Sequence, residues 1–165
     1  AHGATACTDI TGFGLLGHLL EMLGGTLGAR LDLAQLPLLP GAVEQIQAGI
    51  LSTMHVANVR SAGPFLQAGA AVDEATKQML FDPQTSGGLL IAVPAGRALA
   101  LRDALHQAGY TAARIIGEVT ALASGSAAPV QMSQVSGNGY VNTGPRRGIA
   151  PWPPSGARTA GHPRQ

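Results

Sequence analysis

Asp9 stands between two hydroxyl residues, Thr8 and Thr11, just ahead of a glycine-rich helix start at Gly12-Phe13-Gly14. A carboxylate in such a place can help hold Mg²⁺, which takes oxygen ligands and keeps waters or substrate phosphates in its octahedron. One carboxylate does not make an all-protein magnesium site, so an ion held here must draw ligands from outside this chain. The alternative is structural, with Asp9, Thr8 or Thr11 capping the helix that follows. The run Gly12-Phe13-Gly14-Leu15-Leu16-Gly17 spells GxGxxG, and Asp32 follows about 20 residues on, as a dinucleotide site would need. The preceding Ala4–Thr8 is a poor buried strand, however, and the Gly-Lys-Ser/Thr ending of a nucleotide phosphate loop is missing. Glycine costs a helix roughly 1 kcal/mol per residue. Gly14 and Gly17 in the first turns therefore point to a close approach by packed backbone or ligand.

A second segment, Phe81-Asp82-Pro83-Gln84-Thr85-Ser86-Gly87-Gly88, is polar and turn-rich. Consecutive N–H groups in such a loop could bind an anion. Equally, it could be a tight turn that admits the apolar run Leu89–Val93 to the core. His18 reads as a surface or interfacial helix residue, with no Ser or Cys nucleophile tied to it by spacing. His2, His55, His106 and His162 share no metal-ligand spacing. Cys7 is read as a small buried apolar residue.

The elements that must position these groups follow from periodicity. Leu16, Leu19, Leu20 and Leu23 recur at helical spacing with Phe13 one turn earlier, and Gly24-Gly25 stops the helix. Leu27–Leu33 alternates as a strand, with Arg30 and Asp32 on one face. Gly41–Ile50 and Asp73–Leu80 are short helix candidates, and Asp73 and Glu74 suit the first turn of the latter. Ser52–Asn58 is ambiguous, and Arg60–Ala68 is helical with an interruption at Gly63-Pro64. Leu89–Val93 is expected as a fully buried strand. Ala95–Ala108 is expected as a helix with Ala98, Leu101, Leu105 and Ala108 on one stripe, closed by Gly109. Ala113–Val119 follows as a strand with a bulge at Gly117. Together these three make one unit of strand, helix and strand. Ala123–Pro129 reads as a small-residue turn and Val130–Val135 as a last strand.

The composition sets outer bounds. The chain has 165 residues, 45% hydrophobic, 4% aromatic and 12% charged. Charged residues usually reach about 25% in soluble domains, so part of the surface is expected to be covered by another domain or subunit. The core would be built of Leu, Ala, Ile and Val. Net charge is +1, which excludes a strongly basic nucleic-acid binder. The distribution is uneven: residues 1–132 carry six basic and nine acidic groups, and residues 133–165 carry four arginines and no acid. Arg146, Arg147, Arg158 and Arg164 could touch a polyanion. With only Tyr140 and Trp152 as aromatics among them, a solvated, irregular tail is expected instead. One cysteine excludes an internal disulfide and fits a reducing, cytoplasmic compartment. No apolar run is long enough to span a membrane. The start, Ala1-His2-Gly3-Ala4, has neither an initiator Met nor a signal-peptide pattern, and the sequence reads as cut from something longer. The expected organisation is a domain over 1–132 and a Gly/Pro/Arg-rich tail over 133–165.

Two long blocks carry a resemblance: Ala6-Cys7-Thr8-Asp9-Ile10-Thr11-Gly12-Phe13-Gly14-Leu15-Leu16-Gly17-His18 and Leu80-Phe81-Asp82-Pro83-Gln84-Thr85-Ser86-Gly87-Gly88-Leu89-Leu90. Leu39-Pro40-Gly41-Ala42, Ser52-Thr53 with Asn58 beyond, and Ile116-Gly117-Glu118-Val119 add to it. Over residues 3–132 the chain resembles the carboxy-terminal half of the selenophosphate synthetase (selenide, water dikinase) family, within the aminoimidazole ribonucleotide (AIR) synthetase superfamily. The resemblance implies an α+β domain, a mixed sheet with helices packed against it, partly ferredoxin-like. It implies a parent enzyme that makes selenophosphate, AMP and phosphate from ATP, selenide and water with Mg²⁺. That parent is a homodimer, in the cytoplasm, with no membrane or direct nucleic-acid partner. Its amino-terminal domain binds most of the ATP and carries a nucleophilic Cys or selenocysteine and a Lys. None of these lies in this chain, and Cys7 belongs to the carboxy-terminal motif instead. By motif position Asp9 is the metal carboxylate, while Thr11, Gly12, Gly14, Thr85, Ser86 and Gly87 line the nucleotide cleft. No catalytic residue is implied, and the chain alone is expected to be inactive. The alternatives are another ATP-dependent member of the superfamily and a non-catalytic dimerisation or scaffold module.

Overall fold

A computed structural model describes residues 2–69, 72–122 and 127–133. The expected tail beyond Ser133 and most of the 123–129 turn lie outside the described residues, and so do Gln134 and Val135 of the expected last strand. In chain order the elements are β1 (Ala6–Asp9), α1 (Gly14–Leu23), β2 (Leu27–Asp32), α2 (Ala42–Gln47), α3 (His55–Ala62), β3 (Leu66–Ala68), α4 (Glu74–Gln78), β4 (Leu89–Ala92), α5 (Ala95–Gln107), β5 (Gly117–Ala121) and β6 (Val130–Ser133). Single 3₁₀ turns at Leu33–Gln35, Gly63–Phe65 and Met79–Phe81 join them. The fold is α+β, with a mixed sheet flanked by helices.

Four strands form that sheet in the order β3-β6-β2-β5. β6 runs parallel to both neighbours, and β5 lies antiparallel to β2 at the edge. Register sorts the two faces. Ala29 pairs with Val130 and Leu31 with Met132, and all four side chains are buried. On the opposite face Arg30 sits across from Glu118 and its guanidinium donates to the carboxylate at 2.5 Å. That pair is exposed, so it adds at most about 1 kcal/mol. Helix α1 covers the apolar face with Leu16, Leu19 and Leu23, and Leu33, Ala62, Leu80 and Phe81 complete the core. Burying each leucine contributes roughly 1.5–3 kcal/mol. The leucine spacing thus read the buried stripe of α1 correctly, and Gly24 ends the helix in the left-handed conformation. Phe13 instead precedes the helix and is half exposed.

Strands β1 and β4 form a separate antiparallel ribbon, with Asp9 opposite Leu89 and Cys7 opposite Ile91. This corrects the expected buried strand. Among the described residues β4 pairs with β1 alone, one ribbon face is open, and Leu89 is 68% exposed. It also dissolves the expected strand–helix–strand unit, because β4 and β5 belong to different sheets. Helix α5 buries no residue fully: Ala98, Leu101 and Leu105 are half-buried and Ala108 is exposed. Leu66–Ala68 is a strand rather than a helical continuation, since Pro64 breaks the helix and Leu66 then pairs with Val130. Gly117 opens β5 opposite Leu31, with no bulge. Asp73 caps α4 by accepting from the Thr76 hydroxyl at 2.6 Å and the Thr76 amide at 2.7 Å. Those bonds hold its carboxyl below its ordinary value. Hydrogen bonds from Lys77 and Gln78 do the same for Glu74. No helix among the described residues is long and apolar enough to cross a membrane.

Candidate functional site

The two segments that stood out in the sequence meet at the end of the β1–β4 ribbon. Ile10 N–H donates to Gly88 O at 2.9 Å, and Gln84 N–H donates to Thr11 O at 3.1 Å. Ile10 is buried and anchors this end of the ribbon. Gly87 packs so tightly on the Ile10 carbonyl that a Cβ there would collide with its oxygen and with Gln84 Oε1. Gly14 has φ +69°, and a Cβ there would lie 2.9 Å from Leu80 O and from the Phe81 carbonyl carbon. Both residues are glycine because neighbouring backbone occupies the space of a side chain. Gly17 has a smaller role, leaving room for Phe13 one turn back, and Gly12 has open space beside it.

Asn58, in α3, fastens the same junction from below. It is 5% exposed, and its amide donates to Gly12 O at 2.8 Å and to Phe81 O at 3.0 Å. One side chain therefore joins the glycine turn to the element that leads into the second loop. Nothing local in the sequence marks Asn58 for this, because its partners lie 46 and 23 residues away. His55, one turn earlier, is also buried. Its Nε2 donates to Gln78 Oε1 at 2.7 Å, and its Nδ1 has no hydrogen-bond partner among the described residues. The donor role follows from Gln78, whose own amide nitrogen donates to Glu74 and so turns its oxygen toward the ring.

Asp9 lies in β1 with its side chain exposed, where alternation places Cys7 on the same face. The capping reading is corrected. Phe13 is the N-cap residue before α1 and makes no side-chain cap, and the turn leading into the helix is closed by Gly14 N–H donating to Thr11 O at 3.1 Å. Cys7 is exposed rather than buried, because it points to the open face of the ribbon. His18 is corrected too. It is 7% exposed, with Nε2 3.0 Å from Thr11 Oγ1, Nδ1 3.1 Å from Glu21 Oε2, and the Phe13 ring 5.5 Å away. Thr85 and Ser86 are exposed on the second loop, with Gly87 half-buried behind them. β1 and α1 do not build a dinucleotide-binding unit, since β1 pairs antiparallel with β4 and β2 belongs to the other sheet.

Chemically, the junction offers an exposed carboxylate at Asp9 and, beside it, backbone held by hydrogen bonds and close approach. Among the described residues no three His, Cys, Asp or Glu side chains come together as a metal set. Asp9 fits Mg²⁺ as one ligand among waters and phosphates, and it does not fit a closed protein cage.

Comparison with known proteins places this sequence in a family. A model described as AIR synthase related protein, C-terminal domain, matches residues 1–128. The chain is 46% identical over 115 residues to a selenide, water dikinase of Pelobacter propionicus, an alignment covering 69% of this chain and 33% of that protein. It is 39% identical over 127 residues to a selenide, water dikinase of Pseudomonas straminea, covering 72% and 34%. With selenide, water dikinase 2 of Peptoclostridium acidaminophilum it shares 40% over 117 residues, covering 68% and 32%. The chain thus spans about a third of the length of these relatives. Since the family model accounts for most of the sequence and both singled-out segments fall inside it, the chain belongs to the AIR synthase related family and carries its C-terminal domain.

Proposed function

We propose that this chain is the carboxy-terminal part of a selenide, water dikinase, an ATP-dependent enzyme that makes selenophosphate, AMP and phosphate from ATP, selenide and water. The observation that carries the reading is the hydrogen-bonded meeting of Thr11 with Gln84 and of Ile10 with Gly88, which leaves Asp9 exposed beside both glycine-rich segments. The relatives' names supply the substrate class. In this reading Asp9 contributes one carboxylate to a Mg²⁺–phosphate cluster, and the other ligands come from an amino-terminal domain of the same enzyme. A triphosphate needs several positive charges around it, and Mg²⁺ supplies that chemistry when bound. Thr11, Gly12 and Gly14 shape the backbone on one side of the cleft, and Thr85, Ser86 and Gly87 on the other. The domain ends at about residue 132, the parent is a cytoplasmic homodimer, and no residue of this chain is catalytic.

The chain alone lacks the groups that would activate selenide, so it turns over no substrate. The test incubates the purified chain with ATP, Mg²⁺ and selenide and follows AMP. The expected result is no AMP above the protein-free control, with AMP formation by the two-domain parent. Robust AMP formation by the chain alone would overturn the half-site account.

A further inference from the structure

Both ring nitrogens of buried His18 are engaged, Nε2 with Thr11 Oγ1 at 3.0 Å and Nδ1 with Glu21 Oε2 at 3.1 Å. A carboxylate oxygen only accepts hydrogen bonds. The neutral ring therefore carries its proton on Nδ1 and keeps a lone pair on Nε2. The Thr11 hydroxyl has one hydrogen, and Nε2 takes it. What Thr11 then shows to anything arriving from its other side is a pair of lone pairs. Its backbone is already fixed, because Thr11 O accepts from both Gly14 N–H and Gln84 N–H. The direction of the hydroxyl bond is thus the one property of Thr11 that side chains set, and the Glu21–His18 pair sets it.

We propose that Glu21 and His18 are positioning residues that lock the Thr11 hydroxyl as a hydrogen-bond acceptor, so that it receives a metal-bound water or an N–H donor and disfavours a phosphoryl oxygen. This rests on the reading of Thr11 as part of the metal–phosphate cleft. It goes beyond that reading by assigning Thr11 to the cation side of the cluster, and by giving two residues outside the glycine segment a part in it. The wall behind the pair suits the task. His18 is 7% exposed and its ring lies against Phe13, which keeps water from competing for Nε2.

The test has a spectroscopic arm and a kinetic arm. In the chain with ¹⁵N-labelled histidine, NMR near neutral pH is expected to show His18 protonated at Nδ1 and bare at Nε2. In Glu21→Gln the glutamine can donate to Nδ1, so a fraction of the ring should carry its proton on Nε2. A wild-type His18 with a proton on Nε2, in a neutral or a charged ring, overturns the proposal. In the two-domain parent, His18→Leu is expected to raise the KM for MgATP about tenfold with a smaller change in kcat, the loss of one oriented hydrogen bond. His18→Gln keeps an acceptor toward Thr11 and a donor toward Glu21, and is expected to stay within about twofold of wild type. Equal damage by the two variants, or none by His18→Leu, overturns it. Asp9→Asn in the same parent reports on the cleft itself. Unchanged metal dependence there defeats the cleft reading, whatever the tautomer of His18.

Discussion

Asn58 offers the sharpest test of how the site is held together. Replacing it with alanine removes two donors at once, from Gly12 O at 2.8 Å and from Phe81 O at 3.0 Å. Each net hydrogen bond is worth about 1 kcal/mol, and a carbonyl left without its donor in a near-dry place costs up to a similar amount more. The sum is about 2–4 kcal/mol, a large share of the 5–15 kcal/mol that holds a typical domain folded. Asn58→Asp is the informative partner. Its volume is nearly unchanged, but a carboxylate faces two carbonyl oxygens with nothing to donate, so it should destabilise at least as much as alanine. Urea unfolding of the chain followed by circular dichroism gives both values, with an unchanged slope marking a true loss of stability. If Asn58→Ala falls within about 0.5 kcal/mol of wild type, the range of an unremarkable surface change, the tie is not the fastening described above.

Three further outcomes follow from the same geometry. Gly14→Ala must hold a side chain at φ +69° and press it on the Leu80 and Phe81 carbonyls, so its thermal midpoint should fall by the equivalent of roughly 2–4 kcal/mol. Leu16→Ala, emptying a fully buried position beneath the site, should cost about 2–5 kcal/mol by urea unfolding. Asp73 and Glu74 have carboxyls held below their ordinary values in the folded chain, so the unfolded chain takes up their protons first on acidification. Their stabilisation is complete above the ordinary carboxylate range and is lost as pH falls through their lowered folded values. The double variant Asp73→Asn, Glu74→Gln should therefore show a shallower acid decline of the thermal midpoint than wild type. An equally steep decline would contradict the assignment.

What could be read from the sequence, and what could not, divides along physical lines. The leucines of α1 were legible because a helix packed on one face writes a period of 3.6. Asp73 was legible because the first turn of a helix has a known chemistry. The glycines at 14 and 87 announced close approach without saying to what, since the approaching backbone comes from distant segments. β4 was misjudged because an apolar run of five residues, Leu89–Val93, looks the same in a two-stranded ribbon with an open face as in a central strand. His18 and Cys7 were misplaced, and the fastening role of Asn58 went unread, for one shared reason. Their surroundings are set by partners across the fold or by a solvent-facing ribbon, and neither leaves a local pattern.

In the function proposed above, Asp9 meets phosphate-bound magnesium across a cleft that another domain completes. The most direct measurement is the Mg²⁺ dependence of AMP formation by the two-domain parent, wild type against Asp9→Asn, with folding of the variant checked by its thermal midpoint. Because Asp9 is exposed on its strand, the midpoint should barely move. The Mg²⁺ concentration for half-maximal turnover should rise at least roughly tenfold, as expected when a metal site is damaged. A superimposable Mg²⁺ curve and equal turnover from a folded Asp9→Asn enzyme would show that the ion is held elsewhere.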